Sequence, residues 1–342
     1  MHEPRIVSIG RAVPERTYTQ IELVEHSPWE QSPLIERLMF ASPIRTRSLF
    51  VPPEFFRRPR TLSETNAAWR AGALALGGQA LDDALASAGI PAEAVGMIGV
   101  TTVTGYTTPG LDLLLAHAHG LRPTVDRIHF NNIGCHAAVP LLRAVGDHVA
   151  RRPGTVGLAV AVEVCSACFS ADSDTQNVVA AALFGDGAAC VALSTDGDGP
   201  ALVDFASAFD FEHIEALGFD LTSDGFRIVL DPRIPDRIAV TIASVIDTLL
   251  TRNGLQRADV ALWGLHPGGS RILDAAQQAL GLTDAQLLPS RRVLRNHGNM
   301  SSPTILFVLA EALATDPPRP GSVGVLAAFG PGLGIEAVLL RF

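Results

Sequence analysis

Two kinds of run alternate along the chain. Continuously apolar stretches occur at "VGMIGVTTV" (95–103), "TVGLAVAVEV" (155–164), "AALFGDGAACVAL" (181–193), "VALWGL" (260–265) and "SVGVLAAF" (322–329). Unbroken apolar runs of this kind predict strands covered on both faces. Between them lie "ETNAAWRAGALALGGQALDDALASAG" (64–89), "CHAAVPLLRAVGDHVARR" (135–152), "RIAVTIASVIDTLLTRNG" (237–254) and "SRILDAAQQALG" (270–281), whose apolar positions recur at helical spacing. Such alternation predicts an α/β fold built in layers. The order near 64–103, a long helix leading to a strand, recurs near 237–266. A duplicated α/β unit accounts for this, divided near the Gly/Asp/Pro-rich "STDGDGPALV" (194–203), with halves 1–198 and 199–342. The proline-broken "VPPEFFRRPRTL" (51–62) predicts a loop.

The most apolar segment, "SVGVLAAFGPGLGIEAVLLRF", is interrupted by Gly-Pro-Gly and carries Glu336. It reads as two strands and a turn, not a membrane span. The amino terminus has no basic start followed by an apolar core, so no secretory leader is expected. The expected location is the cytoplasm, with no membrane partner.

Composition removes several kinds of chemistry. Across 342 residues, hydrophobic content is 47% and charged content 18%, which predicts a densely packed globular enzyme. A net charge of −9 argues against nucleic acid as a partner. The chain has no lysine, so all 26 basic side chains other than histidine are arginine. That excludes lysine Schiff bases, lysine-bound pyridoxal phosphate and the Walker A lysine. The four cysteines, Cys135, Cys165, Cys168 and Cys190, fit a reducing compartment better than a disulfide framework. Cys165 and Cys168 form a C-x-x-C without the second pair of a zinc site, so no metal is expected.

Three positions carry candidate chemistry. In "HFNNIGCHAAVPLLRAV", Cys135 stands between a glycine and a helical run, where a helix N-terminus would favour thiolate over thiol. The bland alternative is a small core residue. His266 follows the strand "VALWGL" and precedes "PGG", so a strand end presents an imidazole to a tight turn. Asn299 in "RNHGNMSS" reads as a turn or cap residue, or as an amide aimed at the same site. His136, directly after the candidate nucleophile, reads as structural, and Pro140 predicts a slight kink.

Taken together and in order, "NNIGCHAAVPLLRAV", "LFGDGAAC", "WGLHPGG", "HGNMSSPTILFVL" and "AFGPGLGIE" resemble the motifs of the type III polyketide synthases, the chalcone synthase family. The resemblance spans residues 5–342. It implies a thiolase-like fold with duplicated halves in a five-layer αβαβα arrangement, acting as a homodimer. It implies that Cys135 takes an acyl starter from acyl-CoA, and that His266 holds Cys135 as thiolate. With Asn299, His266 would orient malonyl-CoA for decarboxylative condensation. No cofactor is implied beyond these CoA thioester substrates. Phe184 matches an aromatic gatekeeper or else packs in the core, and Ile228 stands where the family has a second phenylalanine. Cys165 and Cys168 align with cavity-lining threonines. Thr108 takes the place of a residue inserted across the dimer interface, and Gly332 belongs to the substrate-side glycine loop. Arg45 and Arg47 in "SPIRTRSLF" are the candidates for pairing CoA phosphates, or are solvated surface charges. An alternative within the same fold is a fatty-acid-initiating ketoacyl-acyl-carrier-protein synthase performing one condensation. A non-catalytic scaffold is disfavoured by the intact Cys, His and Asn.

Overall fold

The computed structural model describes residues 2–26, 39, 42–169, 175–222 and 225–342. In chain order the strands of the amino-terminal part are β1 (Arg5–Ala12), β2 (Thr17–Thr19), β3 (Thr46–Ser48), β4 (Val95–Thr102), β5 (Asp126–Asn131), β6 (Val156–Glu163) and β7 (Gly187–Ser194). They are followed by β8 (Ala201–Phe209), β9 (Leu217–Thr222), β10 (Gly225–Leu230), β11 (Val260–Leu265), β12 (Val323–Gly330) and β13 (Gly334–Arg341). Nine of these form one sheet in the order β11-β12-β13-β8-β1-β7-β6-β4-β5. The sheet repeats itself. β1 is antiparallel to β7, β7 antiparallel to β6, and β6 parallel to β4. The succession β8, β13, β12, β11 has the same three relations. β5 extends the first half, parallel to β4, and the halves meet through the single register pair Arg5–Ala201.

The described helices are α1 (Gln20–His26), α2 (Leu62–Ala88), α3 (Leu111–Ala118), α4 (Ala138–Arg151) and α5 (Thr175–Leu183), then α6 (Ile234–Arg252), α7 (Ser270–Leu280), α8 (Leu288–His297) and α9 (Thr304–Thr315). Three hydrophobic clusters define the layers. Trp69, Leu76 and Leu81 of α2 pack on Ile98, Val100, Leu158 and Val160, the outer face of the first half. Ile242, Ile246 and Leu249 of α6, with Leu273 of α7, cover Trp263, Val325 and Leu339 of the second. Between the halves, Leu141, Leu142 and Val145 of α4 and Ile305, Leu306 and Phe307 of α9 share one core with Val191, Leu326 and Val338. Successive strand residues point to opposite faces, so Val325 and Ala327 face α6 while Leu326 and Ala328 face the central helices. Both strand faces are covered, which is why these runs are apolar throughout. The layering is the αβαβα expected from the sequence.

Local chemistry fixes the ends of the elements. Thr61 and Glu64 form a reciprocal capping box at the start of α2, and Gly89 ends it at φ 63°. Gly10 lets β1 approach that helix closely, because a Cβ there would stand 2.1 Å from the Ala80 carbonyl oxygen. Two expectations are corrected. Residues 181–183, read as strand, finish α5, and the strand begins only at Gly187. Pro140 lies in the first turn of α4, where its N–H would lack an intrahelical partner anyway, so no kink is required. Among the described residues no helix is long and apolar enough to cross a membrane.

Candidate active site

Cys135 sits in a tight turn between β5 and α4. Gly134 adopts φ 88°, and the Ala137 amide donates to the Gly134 carbonyl at 2.9 Å, so the chain reverses around the cysteine before the helix begins. The residue keeps partial exposure, but its sulfur is crowded on all sides. The Ser301 and Asn299 side chains lie close enough to favour ionisation of that sulfur, and Ser301 Oγ itself is buried with no hydrogen-bond partner among the described residues. The Asn299 carboxamide is fixed through its Oδ1, which accepts from the Ser301 amide at 2.8 Å, and Nδ2 is the donor end of the group. The Asn299 backbone is bracketed by Leu183 and Gly185 through two bonds of 2.9 Å, so the 299–301 turn lies along the segment carrying Phe184. Ser301 holds φ 59°, a left-handed conformation uncommon for serine.

His266 leaves β11 with its amide donating to the Ala327 carbonyl at 2.8 Å. Its side chain is buried, and among the described residues neither ring nitrogen has a hydrogen-bond partner. It lies near enough to His136 for charge on one to disfavour charge on the other. His266 and His136, the latter in the Cys135 turn, are thus two buried imidazoles close enough to influence each other.

The electrostatics correct one expectation. A helix N-terminus does not by itself depress the Cys135 thiol; burial pushes it up to about 12, against partial relief from the nearby Ser301 and Asn299 side chains. The negative charge of Glu163 pushes in the same direction. Burial also pushes His266 down to about 3 and His136 down to about 4. Each charge is unfavourable on its own.

Cys165, Phe184 and Ile228 form a small cluster against which Cys135 packs. The narrow cleft beyond it is lined by Cys165, Cys168, Phe184 and Ile228, with Thr104, Phe169, Phe219, Phe226 and Ser301. Four of the positions singled out from sequence therefore share one wall. Ile228 lies opposite Phe219 in the β9–β10 hairpin, so aromatic bulk sits one strand away from the expected place.

Other candidates fall elsewhere. Arg47 is fully buried and cannot reach CoA phosphates. Its guanidinium donates to the Phe184 carbonyl at 2.7 Å and to Gln20 Oε1 at 2.7 Å, and also to the Ala181 carbonyl. It supports the Phe184 segment from behind, with Asp186 nearby. Arg45 is exposed. Thr108 is exposed and donates to the Tyr106 hydroxyl at 3.1 Å, outside the residues lining the cleft. Gly332 holds φ 75° in the loop that joins β12 to β13. Asp210, Glu212 and His213 group their ligand atoms within 4.8 Å, but Asp210 already accepts from Arg237 at 2.6 Å.

Two residues escaped the sequence reading. Ser301 stood inside "GNMSS" unremarked. Glu163 was the lone charge closing an apolar run, which is the signal for a buried acid with a built-in set of donors. Its carboxylate accepts from Ser302 at 2.7 Å, Thr104 Oγ1 at 2.8 Å and the Val103 amide at 3.0 Å. Burial still raises its proton affinity.

Comparison with known proteins places this arrangement. The family models of the chalcone and stilbene synthases match, the N-terminal domain over residues 3–197 and the C-terminal domain over 208–342. The chain is 35% identical to the 1,3,6,8-tetrahydroxynaphthalene synthase of Streptomyces peucetius subsp. caesius, over 98% of this chain and 93% of that protein. It is 34% identical to the 3,5-dihydroxyphenylacetyl-CoA synthase of Amycolatopsis orientalis, over 99% and 93%. An alpha-pyrone synthesis polyketide synthase-like protein of Mycobacterium tuberculosis is 31% identical over 89% of this chain and 81% of its own. Among solved structures, the 1,3,6,8-tetrahydroxynaphthalene synthase of Streptomyces coelicolor A3(2) superposes with a TM-score of 0.91 at 27% identity, covering 99% of both chains.

Proposed function

Since the chain belongs to the chalcone and stilbene synthases, the type III polyketide synthases, and is therefore an acyltransferase, we propose that Cys135 loads an acyl-CoA starter and extends it with malonyl-CoA. The observation that carries this reading is Cys135 packed on Cys165, Phe184 and Ile228 beside an aromatic-walled cleft, with Asn299 and Ser301 next to its sulfur. In the loading step the thiol proton passes to His266, and sulfur attacks the thioester carbonyl. The CoA thiolate leaves and takes up that proton. Malonyl-CoA then binds with its thioester oxygen facing the Asn299 and His266 N–H donors, which stabilise the enolate formed as CO2 departs. The carbanion attacks the acyl-Cys135 carbonyl, sulfur leaves as thiolate, and the chain is two carbons longer. The extended chain, now a CoA thioester, passes back to Cys135 as CoA thiolate leaves, and repetition of the cycle followed by cyclisation gives a pyrone, a resorcinol or a related aromatic polyketide. The named products of the relatives, a tetrahydroxynaphthalene, a dihydroxyphenylacetyl thioester and an alpha-pyrone, support that product class.

The test is incubation with malonyl-CoA and starters from acetyl- to long-chain acyl-CoA, with products identified by mass. Cyclised polyketides that vanish in Cys135→Ala are expected. A single β-ketoacyl product on carrier protein, with free malonyl-CoA unused, would overturn the reading in favour of an initiating ketoacyl synthase.

A homodimer belongs to the same proposal. β5 ends the sheet with its outer side unpaired among the described strands, and Tyr106 and Leu113 nearby are exposed. Sedimentation at micromolar concentration is expected to give twice the 36.1 kDa chain mass.

A further inference from the structure

His136 is buried at 3% exposure, immediately after the nucleophile, and the mechanism above does not use it. Its ring occupies the space that side chains on the glycine loop would need. A Cβ on Gly330 would stand 1.9 Å from His136 Nδ1, and one on Gly334 would stand 3.0 Å from Nε2. On the same loop Pro331 faces the turn directly, since a Cβ on Gly134 would lie 2.5 Å from the Pro331 ring. The nucleophile turn and the 330–334 loop therefore interlock at three points, two of them filled by one imidazole. The outer side of the ring is closed edge-on by Phe209, at 6.4 Å between centroids. Nδ1 is buried without a hydrogen-bond partner among the described residues, so the ring is held by shape and not by bonding.

We propose that His136 is a positioning residue for the condensation: a wedge that fixes the gap between the glycine loop and the Cys135 turn and keeps water from the sulfur. The inference rests on Cys135 being the nucleophile. It also explains glycine at 330, where any Cβ meets the ring, and at 334, where a Cβ would meet both the imidazole and Phe209. The uncharged ring beside His266 agrees with this role, because both imidazoles are kept neutral by burial.

The test uses the full-length protein with His136→Ala, His136→Phe and Gly330→Ala, alone and combined. In His136→Ala, water reaches the sulfur and eases its ionisation, so iodoacetamide should label Cys135 about threefold faster or more near neutral pH. Condensation should slow about tenfold in kcat, with KM within about threefold. His136→Phe keeps the ring and should restore both rates. Gly330→Ala should lose activity alone and regain it when combined with His136→Ala, which removes the clash. Labelling of Cys190, fully buried in the sheet, reports global unfolding and should stay absent. The proposal is overturned if His136→Ala leaves both rates unchanged, if Phe fails to restore them, or if labelling of Cys190 rises in parallel. Alkylation needs no substrate. If wild-type enzyme makes no polyketide while these labelling shifts appear, the functional reading fails and the wedge stands.

Discussion

Taking the proton off Cys135 is opposed first by desolvation, and two neutral donors only partly offset that. A thiolate in this setting requires a nearby acceptor to become positive at the same moment. The consequence is specific to pH. In His266→Ala the sulfur has to ionise alone, so labelling at pH about 7 should fall about tenfold or more and climb without a plateau through pH about 10. Wild-type labelling that shows the same alkaline climb, unaffected by the substitution, would remove His266 from the proton path. Arg47 makes the opposite kind of case, a charge held for support. Replacing it by methionine strips donors from the Phe184 and Ala181 carbonyls and from Gln20, which should cost about 3 kcal/mol or more. A lower denaturation midpoint at unchanged slope would register it. If salt sensitivity of the KM for CoA thioesters disappears in this variant while stability holds, Arg47 contacts substrate after all. The exposed Arg45 is the residue for which that salt effect is expected.

The elements show what can be read from a sequence and what cannot. Strands covered on both faces announce themselves as unbroken apolar runs, and the α4 and α6 patterns show their faces by spacing. Alanine is the weak point. "VVAAALF" fits a strand or a helix equally, and the choice falls to helix because Gln20 and Arg47 bond the carbonyls at 181 to 184. Those partners are more than a hundred positions away. The same distance hid the role of Arg47, whereas Cys135, His266 and Asn299 stood out because each sits where an element begins or ends. The β9–β10 hairpin put Phe219 and Phe226 into the cleft through strand pairing, which local pattern does not encode. Contact between elements also makes a stability prediction. Gly10→Ala would drive a methyl into the backbone of α2 at Ala80 and Ala84, so β1 must shift and destabilisation of about 3 kcal/mol is expected. A melting temperature equal to that of wild type would show that the strand and helix are not in that close contact.

At the scale of the molecule, the sheet is continuous at one register pair only, and the repeats are joined further by the shared core of α4 and α9 and by bonds such as Asn299 to Leu183 and Gly185 and Ser302 to Glu163. The 196–198 turn between β7 and β8 is exposed. Cleavage at an engineered protease site there should leave the two pieces bound together and turnover within about twofold of the intact chain. Dissociation on nicking would mean that the covalent link, and not the shared core, holds the repeats together. The repeats match in backbone and differ in reagents: one brings sulfur, the other imidazole and carboxamide. A protein made of two copies of the first would own a pair of nucleophiles with no amide to steady them. On the proposed mechanism two copies of the second would have nothing to acylate, so the symmetry of the repeats is a matter of architecture alone.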